Sequence, residues 1–340
     1  MRIEHGDGDT PIWRLFGVLL ICALLTGGFV TFWHARGASA DASDGGSKGQ
    51  ADGLAALSLL NDRVARKGTA QAAASPEKPI SDPTLRERYL FTVPESAHQL
   101  LKLSASSALV ADVDTGQVIF AKNEHQKLFP ASVTKIASAL VVKKTLDLNK
   151  IVTISDWAAE AEPNRMGLKA GEKVPVKDLL SGMLINSGND AARALADAHP
   201  GGRDGFCAQM NQLVKDLGLT DTHFANSSGL HDDNHISSAY DLAVLMRYLA
   251  NTAPELLPIM RTTDLTIPAT ADHPVYYLHT LSTMLQGGAN LEAVKTGYTP
   301  EAGHTWIATA KQGTKHIVVV FMNSWASTDD AKKLLDIGLK

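Results

Sequence analysis

The stretch FPASVTKIASALV, residues 129–141, sets Ser132 three positions ahead of Lys135 and follows both with Ile136, Ala137, Leu140 and Val141. Apolar residues at steps of three and four predict a helix that opens at Ser132 and buries one face. Residues i and i+3 at a helix start share a face, so the lysine can reach the serine hydroxyl. Taken alone, the pair has a plainer reading, a helix-capping Ser followed by a solvated Lys, because S-x-x-K is a common spacing. The rest of the chain has to decide between the two.

Upstream, SSALVADVDTGQVIFAKN (106–123) is two apolar runs around Asp114-Thr115-Gly116, the pattern of a β-hairpin. Downstream, helical patterns run through VPVKDLLSGMLI (174–185), AARALADAH (191–199), FCAQMNQLVKDLG (206–218) and SAYDLAVLMRYLA (238–250). The chain then returns to strands in LEAVKTG (291–297) and in HTWIATAKQGTKHIVVVFMN (304–323), a hairpin turning at Gln312-Gly313, before a final helix over 329–337. Strands at both ends and helices between them predict a mixed α/β fold whose sheet partners are distant in sequence, with a helical subdomain inserted. Trp306 and Ala308 would share one face of their strand, which places Trp306 in the core.

The 340 residues are 44% hydrophobic, and a formal charge of -4 gives no basic field, so nucleic acid is not expected as a partner. LFGVLLICALLTGGFVTFW, residues 15–33, is uncharged and long enough to cross a bilayer, with Trp13 and Trp33 at its edges. It reads as a signal anchor in preference to a signal peptide cut near Ala38-Ser39-Ala40, since an h-region usually has only about 7–15 residues. Residues 1–14 form a short N-terminal segment before it. Residues 34–99, rich in Ala, Gly, Ser and Asp, read as a flexible tether, and residues 100–340 as the folded domain. The two cysteines, Cys22 in the apolar run and Cys207 beside Phe206 on an apolar helical face, are not expected to pair; Cys207 reads as a buried structural thiol.

Two further motifs change the weight of the first. Ser187-Gly188-Asn189 follows the second helical pattern, and Lys295-Thr296-Gly297 ends a predicted strand. In this order the three match the set of penicillin-binding proteins and serine β-lactamases, with Gly188 where that set has Asp. A serine hydroxyl needs a base in reach, and Lys135 can serve if burial or a second cation, here Lys295, lowers its pKa. Ser187 can relay a proton among Ser132, Lys295 and the leaving amine, and Asn189 can hold a substrate amide. Gly297 lets a substrate backbone pair with the strand, and the N–H groups of Ser132 and Tyr298 are candidates for an oxyanion hole.

From about Ser106 onward the chain resembles the penicillin-binding D-alanyl-D-alanine carboxypeptidase and endopeptidase family of serine peptidases. The stretches that carry the likeness are PASVTKIASAL, GLKAGEKVPVKDLLSGMLINSGNDAA, FANSSGL with HISSAYDLA, and VKTGYTPEAGHTWIATAK. The resemblance implies a β-lactamase/transpeptidase-like fold with an antiparallel sheet flanked by helices. It also implies a catalytic set of Ser132, Lys135, Ser187, Asn189 and Lys295, with Thr296, Gly297 and Tyr298 on the substrate and no cofactor. The implied reaction is acylation of Ser132 by peptidoglycan stem peptides or cross-bridges, β-lactams are the implied covalent inhibitors, and the implied place is the bacterial cell envelope, held at the inner membrane with the catalytic domain in the periplasm, or secreted if the leader is cut.

Carboxypeptidases of this family commonly carry an Arg just before the final helix that grips the substrate's terminal carboxylate with the Thr of the KTG motif. Here the stretch is Trp325-Ala326-Ser327-Thr328-Asp329, and no Arg follows Arg261. Together with His199-Pro200-Gly201-Gly202, which resembles the small endopeptidase members, this tips the expectation toward endopeptidase action, with carboxypeptidase action as the alternative. A β-lactamase is less expected, because no Glu occurs between Ala191 and Thr222 to deacylate the serine. A non-catalytic penicillin sensor is disfavoured by the full set of catalytic side chains. His231, Asp232, Asp233 and His235 could be drawn as a metal cluster, but a polar loop before a helix explains them more simply, and no metal is expected.

Overall fold

The computed structural model describes residues 83–340. The segments expected at 1–14 and 15–33, and most of the expected tether, lie outside the described residues. Among the described residues no helix is long and apolar enough to cross a membrane.

Helix α1 (Pro83–Tyr89) leads to the hairpin of β1 (Ser107–Asp112) and β2 (Val118–Lys122). A 3-10 turn (Ala131–Thr134) opens α2 (Lys135–Thr145). Short strands β3 (Ile151–Thr153) and β4 (Lys173–Pro175) bracket α3 (Asp156–Ala159), and α4 (Val176–Ile185), α5 (Asn189–Asp197), α6 (Gly202–Asp216) and α7 (Ala239–Thr252) follow. Helix α8 (Leu257–Arg261), a small hairpin of β5 (Asp264–Ile267) and β6 (Tyr276–His279), and α9 (Thr283–Gln286) lead into β7 (Ala293–Thr299), β8 (Gly303–Gln312), β9 (Lys315–Ser324) and α10 (Ser327–Leu339).

The main sheet has the order β2-β1-β9-β8-β7, and its pairs are antiparallel. Its first strands in sequence therefore pair with its last, and the helices from α2 to α9 are inserted between β2 and β7. Strand β9 shows how the core divides: Val318, Val320 and Met322 face the large helical cluster, while Ile317, Val319 and Phe321 face α10 through Ala331, Leu334 and Leu335. The two-residue period of a strand is what sends alternate side chains to the two faces. Trp306 and Ala308 lie together on the α10 side, Trp306 stacked on Phe321 at 5.6 Å. Helix α10 sits close enough that a Cβ on Gly338 would lie 2.5 Å from Ile317 Cδ1.

The hairpin turn between β1 and β2 is built by Asp112, whose Oδ1 accepts from the N–H of Asp114 and Thr115 and from the Thr115 hydroxyl. Gly116 completes it with φ +76°, and the Arg247 guanidinium from α7 lies where its Cβ would be. Arg247 in turn donates to the carbonyls of Val113, Tyr89 and Leu90.

These contacts move the expected start of the folded domain. It begins before Leu100: Tyr89 and Phe91 are each only 6% exposed, Phe91 exchanges two hydrogen bonds with the Tyr240 hydroxyl, and the Thr92 N–H donates to Gly116 O. Polar composition hid this, because two aromatic anchors suffice to bind a short segment to a preformed surface.

The two ends of the domain are joined at Asp330, which is buried and accepts from Ser104 N and Oγ, Ala105 N and Ser324 Oγ. Burial alone would raise this carboxyl, but those donors bring it below its ordinary value. Asp330→Ala leaves several buried donors unpaired and is expected to lower stability by about 2–4 kcal/mol, measurable as an earlier urea midpoint with the slope unchanged.

Candidate active site

The SxxK serine does not cap the helix. Ser132 lies inside the 3-10 turn, and the α2 N-cap position is Thr134, which makes no side-chain capping bond. The turn begins at Ala131, held at φ +46°, and sets the Lys135 Nζ 2.7 Å from Ser132 Oγ. The plainer reading of the opening stretch, a capping serine with a solvated lysine, thus gives way to the other: the serine hydroxyl meets the lysine, at a distorted helix start.

Lys135 is fully buried, and its Nζ has two other partners, Asn189 Oδ1 at 2.7 Å and Ser228 O at 2.6 Å. Burial, and then the charge of Lys295, push its pKa well below the ordinary lysine value, against a smaller opposing pull from Asp190. A neutral amine has two N–H bonds and one lone pair. Two carbonyl acceptors hold the two N–H bonds, so the lone pair is left for the Ser132 hydroxyl. Asn189 is fixed in this role because its Nδ2 donates to the carbonyls of Glu162 and Pro163. Both ends of the Asn189 side chain are thus held within the chain, its Oδ1 by Lys135 and its Nδ2 by residues 162 and 163, beside the role on a substrate amide expected from the sequence.

Lys295 projects from β7, the edge strand, and is 2% exposed. It donates to Ser187 Oγ at 2.9 Å and to Thr296 O at 2.8 Å, and burial lowers its pKa to about 7. Ser187 sits at φ +57° in the turn between α4 and α5. Gly188 follows because a Cβ there would be 2.9 Å from Asp190 Oδ1 and 3.1 Å from Met166 N, which accounts for the small residue in the middle of the second motif. Gly297 answers a similar constraint, since its Cβ would lie 2.8 Å from Ser132 N.

Ser132, Ser187, Thr296, Gly297 and Tyr298 line one cleft of about 390 Å³, together with Leu281, Met284, Pro163 and Asn164, and with Thr305, Ser327 and Thr328. Among the described residues no Asp or Glu lines it. Tyr298 is exposed, its ring tilted against that of His304 at 4.8 Å.

Three supports escaped sequence reasoning. Asp190 is buried and accepts from the backbone N–H of Met166, Gly167 and Leu168, tying the loop that carries Pro163 and Asn164 to α5. Asn226 accepts from Ser228 N and Gly229 N, forming the turn that aims the Ser228 carbonyl at Lys135; Asn-Ser-Ser-Gly was the available signal. His235, drawn at first in a possible metal cluster with His231, Asp232 and Asp233, is committed elsewhere: Nδ1 accepts from Ala225 N and Nε2–H faces Thr134 Oγ1 at 2.7 Å. Cys207 is half-buried with Sγ 3.6 Å from Ala225 O, and burial raises its pKa, as suits a structural thiol.

A profile of D-alanyl-D-alanine carboxypeptidases matches residues 93–326. The chain belongs to that family. The D-alanyl-D-alanine carboxypeptidase DacD of Salmonella typhimurium is 37% identical over 250 residues, covering 69% of this chain and 63% of the relative's length. DacB2 of Mycobacterium tuberculosis is 34% identical over 220 residues, or 64% of this chain and 74% of its own. Among solved structures, a D-alanyl-D-alanine carboxypeptidase of M. tuberculosis superposes with a TM-score of 0.67 at 31% identity, covering 73% of this chain and 95% of that one. The Streptomyces K15 DD-transpeptidase gives 0.66 at 26%, covering 71% and 99%. Family membership agrees with the motif reading and with the expected antiparallel sheet and helical insertion.

Burial lowers the His235 pKa to about 4. The unfolded chain binds that proton from about pH 6.5 downward, the folded one only near 4, so stability falls as pH drops through this window, by up to about 3 kcal/mol. Urea midpoints between pH 7 and 4 should show the loss, and His235→Gln should flatten it.

Proposed function

We propose that this chain is a serine D,D-peptidase of the cell wall that removes the terminal D-alanine from peptidoglycan stem peptides. The observation that carries the reading is the Lys135 amine, buried, held by two carbonyls and set 2.7 Å from Ser132 Oγ. Support for the carboxypeptidase branch comes from the relatives, which carry that name in three different bacteria. The motif comparison alone pointed to endopeptidase action; the relatives shift the balance to the reading first held as its alternative. The origin of the relatives supports a place in the bacterial cell envelope.

In the acylation step Lys135 takes the Ser132 proton as Oγ bonds to the D-Ala carbonyl carbon. The N–H groups of Ser132 and Tyr298 hold the oxyanion. When the C–N bond breaks, the proton passes to the leaving amine, with Ser187, hydrogen-bonded to Lys295, as the relay. Water then hydrolyses the ester. A β-lactam presents a comparable carbonyl to the same serine, and among the described residues no carboxylate lines the cleft to act as a general base of the β-lactamase kind, so the drug ester should persist.

Fluorescent penicillin, a pentapeptide and a cross-linked muropeptide dimer test this together. Wild type should keep the penicillin label and release D-alanine from the pentapeptide, and Ser132→Ala should abolish both by at least about a thousandfold. Rapid release of penicilloate without peptide cleavage would refute the peptidase reading, while preferential opening of the dimer would return the endopeptidase branch.

The two lysines also set the pH dependence. Lys135 acts neutral and Lys295 acts as a cation, so acylation should rise with pH through the depressed Lys135 pKa and fall again near pH 7 as Lys295 deprotonates. Penicillin labelling rates against pH should give that bell, and Lys295→Arg, which keeps its charge, should remove the alkaline limb in whatever activity it retains.

A further inference from the structure

One strand face runs out of the cleft. From Tyr276 to Thr283 the chain alternates strictly: Tyr276, Leu278, Thr280 and Ser282 are buried, while Tyr277, His279, Leu281 and Thr283 are exposed. The two-residue period of an extended chain puts the exposed residues on one face. Leu281 and Thr283 line the same cleft as Ser132, so the outward face of β6 continues the cleft wall.

The composition of that face is specific. Tyr277 is 63% exposed and Leu281 40%. Between them, His279 Nδ1 lies 2.6 Å from Asp264 Oδ1 on β5, and Thr266 stands opposite Tyr277. The carboxylate is engaged by the imidazole, so the strip sets an aromatic ring beside paired polar groups and is no cluster of like charge. Such a surface suits a ligand that is apolar on its faces and polar at its edges. A pyranose is built that way: its C–H bonds can lie on an aromatic face while hydroxyl and acetamide groups reach hydrogen-bonding partners.

Length points the same way. A stem peptide is joined at its amino end to an N-acetylated sugar of the glycan. Removing the last residue of a pentapeptide leaves four between the scissile bond and that sugar, a span of at most about 13–14 Å when extended. The strand rises by about 13 Å from Leu281 to Tyr277, so a stem leaving the cleft along this face brings its sugar to the strip.

Resting on the peptidase reading above, we infer that the outward face of β6, with Tyr277 as its platform, is a subsite for the N-acetylated sugar that carries the stem peptide. The substrate class that fits is a stem peptide still attached to its glycan, ahead of the same peptide set free.

A free pentapeptide and the same peptide carried on its amino-sugar disaccharide provide the test, on the full chain. Wild type should turn over the glycosylated substrate with kcat/KM about tenfold higher, the gain falling in KM because the sugar lies far from the reacting atoms. Tyr277→Ala should erase about three- to tenfold of that gain, Tyr277→Phe should keep it, and penicillin labelling and free-peptide turnover should stay within about twofold in both. Equal kcat/KM on the two substrates in the wild type, or equal losses on both in Tyr277→Ala, would overturn the inference. So would a Tyr277→Ala effect confined to self-association or to binding of lipid vesicles, since the strip would then serve a second copy or a membrane. Equilibrium binding of both peptides to Ser132→Ala keeps the two readings apart. If neither peptide is hydrolysed, the peptidase reading falls; tighter binding of the glycosylated peptide, lost when Tyr277→Ala is added, would still sustain the sugar subsite, and equal binding of the two would remove it.

Discussion

A lysine ammonium is among the most costly groups to bury, and here Lys135 is buried completely. Much of the surrounding structure follows from making that tolerable. The amine is met by a serine hydroxyl, an asparagine oxygen and a backbone carbonyl drawn from three separate parts of the chain. Each of those acceptors is itself held: Asn189 by the carbonyls of residues 162 and 163, and Ser228 by the Asn226 side chain. The neutral form that burial favours is also the form that can accept a proton, so the destabilising feature and the chemical one are the same.

The second constraint is room. Glycines at 188, 229 and 297 sit where any Cβ would meet another part of the site: the Asp190 carboxylate, the Ala131 carbonyl and the Ser132 amide, in that order. These contacts draw together α2, the α4–α5 turn, the loop before α7 and the edge strand β7. A site assembled from four distant segments depends on close backbone approach, and only a residue without a side chain permits it at these points.

The sequence exposes the parts of this arrangement whose signal is local. Alternation in β8 and β9, the Asp-Thr-Gly turn and the three-step spacing of Ser132 and Lys135 are all readable from neighbours along the chain, and they predict elements that the structure contains. Partnerships between distant segments are not readable in that way. Nothing adjacent to Asn189 reveals that its oxygen would face Lys135, and the polar stretch before Leu100 conceals the two aromatic residues that fasten it to α7. The small two-stranded sheets β3–β4 and β5–β6 are three or four residues a side, too short for a period to show.

The carbonyl of Ser228 lies far along the chain from Lys135, and Asn189 arrives from between them. The lysine therefore finds its full set of acceptors only when the start of α2, the α4–α5 turn and the loop before α7 have all docked. A half-assembled domain would hold a solvated, protonated Lys135 beside an unreactive serine. The chain thus comes with its own quality check: covalent capture by a penicillin would report, molecule by molecule, that folding had gone to completion.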